Sequence, residues 1–232
     1  SFGVPFLNDF LLFATPDWDA QQEVDIKAML WRFQGGPQES LRIIPSSALP
    51  SDLDRTIPVI FDENHSGFLE GRLEYLLDAL VPDEGEAVVV VDTPPTIPGL
   101  SRSVLSLALR LSRDEKQPLA EDGFIPERLQ AARVDWTAFL VGSMDLQDLR
   151  AANRCLAQVG EEERPYVRFL VNRVGPSDAQ QLQDTLRKRI GNEPNPLLNA
   201  ARMVPEERSL QFFRSESVPR VPEKYLAFLE EE

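Results

Sequence analysis

Asp92 closes the most apolar run of the chain: residues 87–91 read AVVVV, and Asp92-Thr93-Pro94-Pro95 follows. An aspartate at the carboxyl end of a buried parallel strand sits where open α/β sheets bind their ligands. Two chemistries fit it. In a strand-ending turn, Asp92 caps the next segment and the prolines stiffen it. In a nucleoside triphosphatase, the same carboxylate holds magnesium, directly or through water. Other chemistries are excluded by counting. Cys155 is the only cysteine and His65 the only histidine, so there is no internal disulfide, no cysteine-rich metal site and no histidine cluster of the zinc-enzyme kind. His65, in DENHSG, reads as a loop residue, and Trp18, Trp31 and Trp136 read as packing residues rather than stacking platforms.

The elements that must position Asp92 are visible as short, continuous apolar runs. They are residues 10–14 (FLLFA), 41–44 (LRII), 87–91 (AVVVV), 136–141 (WTAFLV) and 167–171 (VRFLV), with a weaker one at 200–204 (AARMV). Continuous β-branched runs of this length suit strands buried on both faces, as in a parallel sheet. Between them lie segments of helical period. Residues 68–80 align Leu69, Leu73, Leu76, Leu77 and Leu80 on one stripe. Residues 146–159 do the same with Leu149, Ala152 and Leu156, and residues 179–190 with Leu182, Leu186 and Ile190. Alternating strand and helix predicts an α/β fold: a mainly parallel sheet flanked by helices on both faces, joined by right-handed crossovers. Two regions break the rhythm. Residues 45–67, rich in Pro, Asp and Ser, predict a loop, and residues 113–126 (RDEKQPLAEDGFIP) predict a charged insertion. With neither an internal repeat nor a clear linker, residues 1–232 read as one domain.

Composition narrows the partners. The chain has 232 residues, 42% of them hydrophobic, enough for a substantial core. A formal net charge of −14 makes sequence-independent attraction to nucleic acid or anionic lipid unexpected. No apolar run approaches the ~20 residues that cross a bilayer, and no basic-then-apolar leader opens the chain, so a soluble cytoplasmic protein is expected. The tail VPEKYLAFLEEE carries Tyr225, Leu226, Phe228 and Leu229 with Lys224 as its one base, and is expected to pack on protein rather than on lipid.

Four segments, in order, resemble the MinD/ParA family of P-loop ATPases. VVVVDTPPTIPGLSRSVL resembles its second acidic motif. VDWTAFLVGSMDLQDLRAANRCL resembles the next strand and helix, and RPYVRFLVNRVG the strand ending in Asn-Arg. ARMVPEERSLQFFRSESVPRV resembles the closing strand with its Val-Pro turn. LRIIPSS has the look of the short strand that precedes the acidic motif, so the resemblance runs from Leu41 to the end. It implies ATP and magnesium as cofactors. Asp92 would sit beside the metal, through water, and with Thr93 and Pro94 would form a switch sensing the γ-phosphate. Asn172 would bind the adenine edge through its amide, Arg173 would lie over or beside the base, and the Val204–Pro205 turn would contact its other side. Read without the resemblance, Asn172 is a turn residue before Gly175, Arg173 a solvated strand-end charge and Pro205 the end of a strand.

The phosphate loop of that family, Gly-x-x-x-x-Gly-Lys-Ser/Thr, does not occur in these 232 residues. RFQGGPQES has two glycines but no lysine, and Pro37 removes one N–H from any phosphate nest. Two expectations stay open. FLLFATPDWDAQ stands for the family's second strand and the loop preceded Ser1, or the loop was lost and the chain is a pseudo-ATPase. The first gives an ATP-dependent switch that forms a homodimer and positions a protein partner or cargo. The second gives a catalytically inactive protein-interaction module. A Rossmann-like enzyme of another kind is disfavoured, because no Gly-x-Gly-x-x-Gly follows any strand. On either open reading, Asp92, Asn172 and Pro205 are expected along the carboxyl edge of one sheet.

Overall fold

A computed structural model describes residues 6–12, 26–32, 42–47, 49–93, 99–113, 116, 118, 125–175, 184, 188, 196 and 200–205. The chain divides into two compact units, Ser1–Trp136 and Thr137–Glu232.

The first unit is built mainly of helices: α1 (Leu7–Leu12), α2 (Ile26–Met29), α3 (Pro50–Phe61), α4 (Ser66–Leu80), α5 (Leu100–Leu111) and α6 (Glu127–Ala131). The leucine stripe on α4 buries Leu69, Leu73 and Leu76 against Phe10, Met29, Leu100, Leu107, Leu111 and Leu129. Two tight features lock α5 in place. Gly99 precedes it at φ 67°, and a Cβ there would lie 1.9 Å from the carbonyl oxygen of Ile60. Inside the α4–α5 contact, Arg110 reaches Glu70 Oε1 at 3.0 Å and Glu74 Oε2 at 2.7 Å. Burial alone would lower the Arg110 pKa, but its hydrogen bonds to Glu74 and Glu70 reverse that and raise it. A short antiparallel ribbon joins β1 (Trp31–Arg32) to β2 (Arg42–Ile43).

The second unit holds a three-stranded parallel sheet in the order β3 (Ala138–Gly142), β4 (Val167–Val174), β5 (Arg202–Pro205). Helix α7 (Leu146–Ala157) connects β3 to β4. Asp145 starts it by accepting the N–H of Gln147 at 2.7 Å, the usual N-cap geometry. Its stripe of Leu149, Ala152 and Leu156 is buried, as are Val167, Phe169 and Val171 of β4. The molecule is therefore mixed α/β with a parallel sheet.

Several local expectations are corrected. Residues 10–14 are not a strand; Leu7–Leu12 is helical, with Phe10 and Leu11 in the core. Residues 45–67 are not a loop, because α3 and a 3₁₀ turn (Glu63–His65) occupy most of them. Pro50 opens α3 at its first position, where a missing N–H costs nothing. The buried amide of Asn8 then ties the region down, donating to Thr56 Oγ1 at 3.2 Å and accepting from Ser47 N at 2.7 Å. Residues 41–44 contribute a strand, but to the antiparallel ribbon rather than to the parallel sheet. Trp31 stands half-exposed on that ribbon instead of packing. Residues 87–91 join no ladder among the described residues. Val88 is 93% and Val90 87% exposed, so this is not the expected buried strand. β-branched residues favour extended backbone, but burial requires a neighbouring strand. Most of the helix expected at 179–190, where only Asp184 and Lys188 are described and both are helical, most of the 113–126 insertion and the tail at 221–232 lie outside the described residues.

Candidate functional site

The carboxyl edge of the β3–β4–β5 sheet gathers the ends of three strands. Gly142 of β3 is level with Val171 of β4, and Val174 of β4 is level with Pro205 of β5. Beyond Gly142 the backbone turns through Ser143 into α7; the Ser143 hydroxyl donates to Asp148 Oδ2 and accepts from the N–H of Asp145 at 3.2 Å. With Asp145 on the N–H of Gln147, a protein carboxylate already answers the positive end of that helix.

Asn172 and Arg173 form the irregular part of this edge. Along β4 burial alternates through Val167, Phe169 and Val171, then skips, so that Val174 rather than Arg173 points inward. The ladder to β5 shifts over the same interval, between Val171 and Val174, which is a β-bulge. Arg173 takes φ 58°, the left-handed region that a side chain with a Cβ rarely adopts. The side chain of Asn172 supports it, Oδ1 accepting the N–H of Arg173 at 2.9 Å. That bond fixes which end of the amide faces the backbone, because an NH₂ group there would oppose another donor. Asn172 is half-buried and Arg173 exposed, so an amide bonded to the backbone and a solvent-facing guanidinium stand side by side. Bulges and left-handed non-glycine residues concentrate beside binding sites.

Three of the residues named from the sequence, Asn172, Arg173 and Pro205, are thus brought to one sheet edge. Asp92 and Thr93 are not part of that sheet: they belong to the other unit and follow the unladdered run at 87–91, Asp92 exposed and Thr93 half-buried. Among the described residues Asp92 therefore ends no sheet strand, which is not the strand-cap geometry expected of it. Pro94 lies outside the described residues. A purine edge fits what Asn172 can offer, since its NH₂ group donates and Oδ1 keeps a second lone pair. A magnesium ion fits Asp92 only in the manner of sites that use one carboxylate with substrate phosphates and water. Among the described residues no group of three or more His, Cys, Asp or Glu side chains converges to hold a metal ion.

Sequence reasoning missed the bulge and the left-handed Arg173, which carry no local signature, since an arginine gives no hint of positive φ. It also missed the Glu70–Arg110–Glu74 cluster, although Glu70 and Glu74 stand four residues apart on one helix face. No helix among the described residues is long and apolar enough to cross a membrane. Comparison with known protein families, with characterised proteins and with solved structures finds no match to this chain.

Proposed function

We propose that this chain is the α/β part of a nucleotide-dependent switch of the MinD/ParA kind, on a Rossmann-like P-loop fold, with the base held at the carboxyl edge of β4 and β5. The observation that supports it is the Asn172–Arg173 bulge: an amide fixed by the backbone beside an exposed guanidinium, level with the end of β5. The Asn172 amide reads the donor and acceptor pair on the base edge. Arg173, exposed on the bulge, lies against the face of the ring. Asp92 supplies one carboxylate to a magnesium–phosphate complex, and Thr93 and Pro94 follow it as the switch. ATP and magnesium, when bound, supply the γ-phosphate whose presence or loss the switch reads, in a homodimer that positions a protein partner or cargo.

The test is equilibrium binding of a fluorescent adenine nucleotide, with and without magnesium, to the chain and to Asn172→Ala. Saturable binding that weakens about tenfold or more in the variant, the scale of a lost hydrogen bond to a buried polar partner, supports the reading. Equal binding by both, or none by either, removes the base site.

A second reading, a catalytically inactive interaction module, is favoured by one observation: the four valines Val88, Val89, Val90 and Val91 are exposed together. Contiguous apolar surface of this kind marks sites of protein contact.

A further inference from the structure

We infer that the carboxyl end of α6 is a monovalent-cation site, of the potassium and ammonium class, which Lys116 fills with its own side chain. A helix leaves its last carbonyls without intrahelical partners. In α6 the Arg128 carbonyl is taken by the N–H of Ala132 at 3.0 Å, whereas those of Leu129 and Gln130 accept from Lys116. The chain leaves the helix at Ala132 in extended backbone, φ −72° and ψ 139°, and the Ala132 carbonyl joins them. All three oxygens meet at one atom: Nζ of Lys116 donates to Leu129, to Gln130 at 3.2 Å and to Ala132. An ammonium has three protons and no acceptor, so the three carbonyls use its whole hydrogen-bonding capacity.

Groups other than Lys116 hold the backbone that carries these oxygens. Oδ1 of Asp78, on α4, accepts the N–H of Leu129 at 3.1 Å. The Arg128 guanidinium donates to the Val81 carbonyl at 3.3 Å and to Asp83 Oδ1 at 2.7 Å. The Leu129 side chain is 2% exposed and packs in the same core as the α4 leucines. The carbonyls are therefore fixed from the α4 side, and loss of the lysine leaves them converged on an ion-sized position. The ligand set is neutral. Magnesium and calcium are held largely through carboxylates, and none belongs to these three ligands. Backbone carbonyls that replace a hydration shell suit potassium, and ammonium carries the same single charge in a similar volume. The partial negative charge at a helix's carboxyl end adds to the attraction. Burial pushes the Lys116 pKa below its ordinary 10.5, so the ammonium has given up water that the carbonyls replace. Where Nζ is removed or acylated, the same position takes a potassium ion. This inference does not depend on nucleotide binding.

Urea unfolding of the wild-type chain and of Lys116→Ala tests it, in potassium chloride and in tetramethylammonium chloride at equal ionic strength. Tetramethylammonium is too wide for the position and has no N–H to donate, so it serves as the control cation. The wild-type midpoint is expected to be the same in both salts, because the site is already filled. The Lys116→Ala midpoint is expected to fall in tetramethylammonium and to recover saturably as potassium replaces it, as binding to the folded chain alone requires. Ammonium chloride is expected to act as potassium does. Nitrogen-detected NMR of the lysine side chains in the wild-type chain is a second measurement, independent of how the variant folds. The Lys116 ammonium protons are expected to exchange with water more slowly than those of the other lysines. A variant that behaves alike in both salts, folded or unfolded, overturns the inference. So does a wild-type midpoint that rises with potassium as much as the variant's, or a Lys116 ammonium that exchanges as fast as the other lysines.

Discussion

The main-chain N–H of Arg173 donates to Oδ1 of Asn172 at 2.9 Å, while Arg173 itself stands at φ 58°. A left-handed conformation costs an L-residue roughly 1–2 kcal/mol, and the Asn172 side chain offsets part of it. Asn172→Ala removes that support and is expected to lower stability by about 1 kcal/mol. Arg173→Gly abolishes the strain and is expected to raise the unfolding midpoint or leave it unchanged. Chemical denaturation of both variants checks the pair of signs. If Arg173→Gly destabilises, the strain assigned to this position is wrong.

Asp92 is exposed and ends no ladder among the described residues, so Asp92→Ala is expected to change stability by no more than about 0.5 kcal/mol, the range of ordinary surface substitutions. In a preparation that hydrolyses ATP, the same change is expected to lower turnover by about 10²-fold or more, the scale of losing a preorganised charge in a reacting site. Thermal unfolding and turnover measured on one sample separate a structural carboxylate from a catalytic one.

Gly99 is expected to tolerate no side chain. Its φ of 67° and the 1.9 Å approach of a Cβ to the Ile60 carbonyl oxygen act together. Gly99→Ala is expected to destabilise by about 3 kcal/mol or more, since α5 must move away from the end of α3. Far- and near-ultraviolet circular dichroism on the variant shows whether the helix is lost or only displaced.

Arg110, with its side chain 11% exposed, holds the carboxylates of Glu70 and Glu74, each 7% exposed. Arg110→Met leaves two buried carboxylates without their cation and is expected to cost about 3–5 kcal/mol. Replacing Glu70, Glu74 and Arg110 together by apolar residues of similar volume is expected to recover most of that loss. Urea denaturation of the single and triple variants measures the difference.

Asp62 gives a pH dependence of fixed sign. Its carboxylate accepts from the Asn64 N–H at 2.9 Å and the Asn64 amide at 2.8 Å, with His65 Nδ1 at 3.2 Å. The Asn64 backbone bond does most to hold its pKa below the ordinary 3.8, against a smaller opposing effect of desolvation. As pH falls through that ordinary value the unfolded chain takes up the proton first. The contribution is thus complete above the ordinary value and is lost as pH falls through the lower native one. A carbon-detected titration of the Asp62 carboxyl, with its midpoint below that of the unfolded chain, checks this.

The sequence by itself determined the parts whose pattern is closed within a dozen residues. The leucine stripe of α4 and the Leu149–Ala152–Leu156 stripe of α7 were legible because each buries one face at a fixed period; the apolar runs of β3, β4 and β5 were legible as strands, although β3 leaves Phe139 and Val141 exposed instead of being covered on both faces. So was the placement of Asn172 and Pro205 at strand ends. Tertiary structure alone decided the rest. The 45–67 region reads as loop until Asn8, far away in sequence, clamps Ser47 and Thr56 and lets α3 form around its prolines. The helix at Leu7–Leu12 and the strand-like FLLFA share residues, and burial of Phe10 and Leu11 among α4 and α5 side chains chose the helix. Residues 87–91 show the limit most plainly. Their β-branching favours an extended backbone, but a strand becomes part of a sheet only when another backbone supplies its hydrogen bonds, and no local sequence carries that partner.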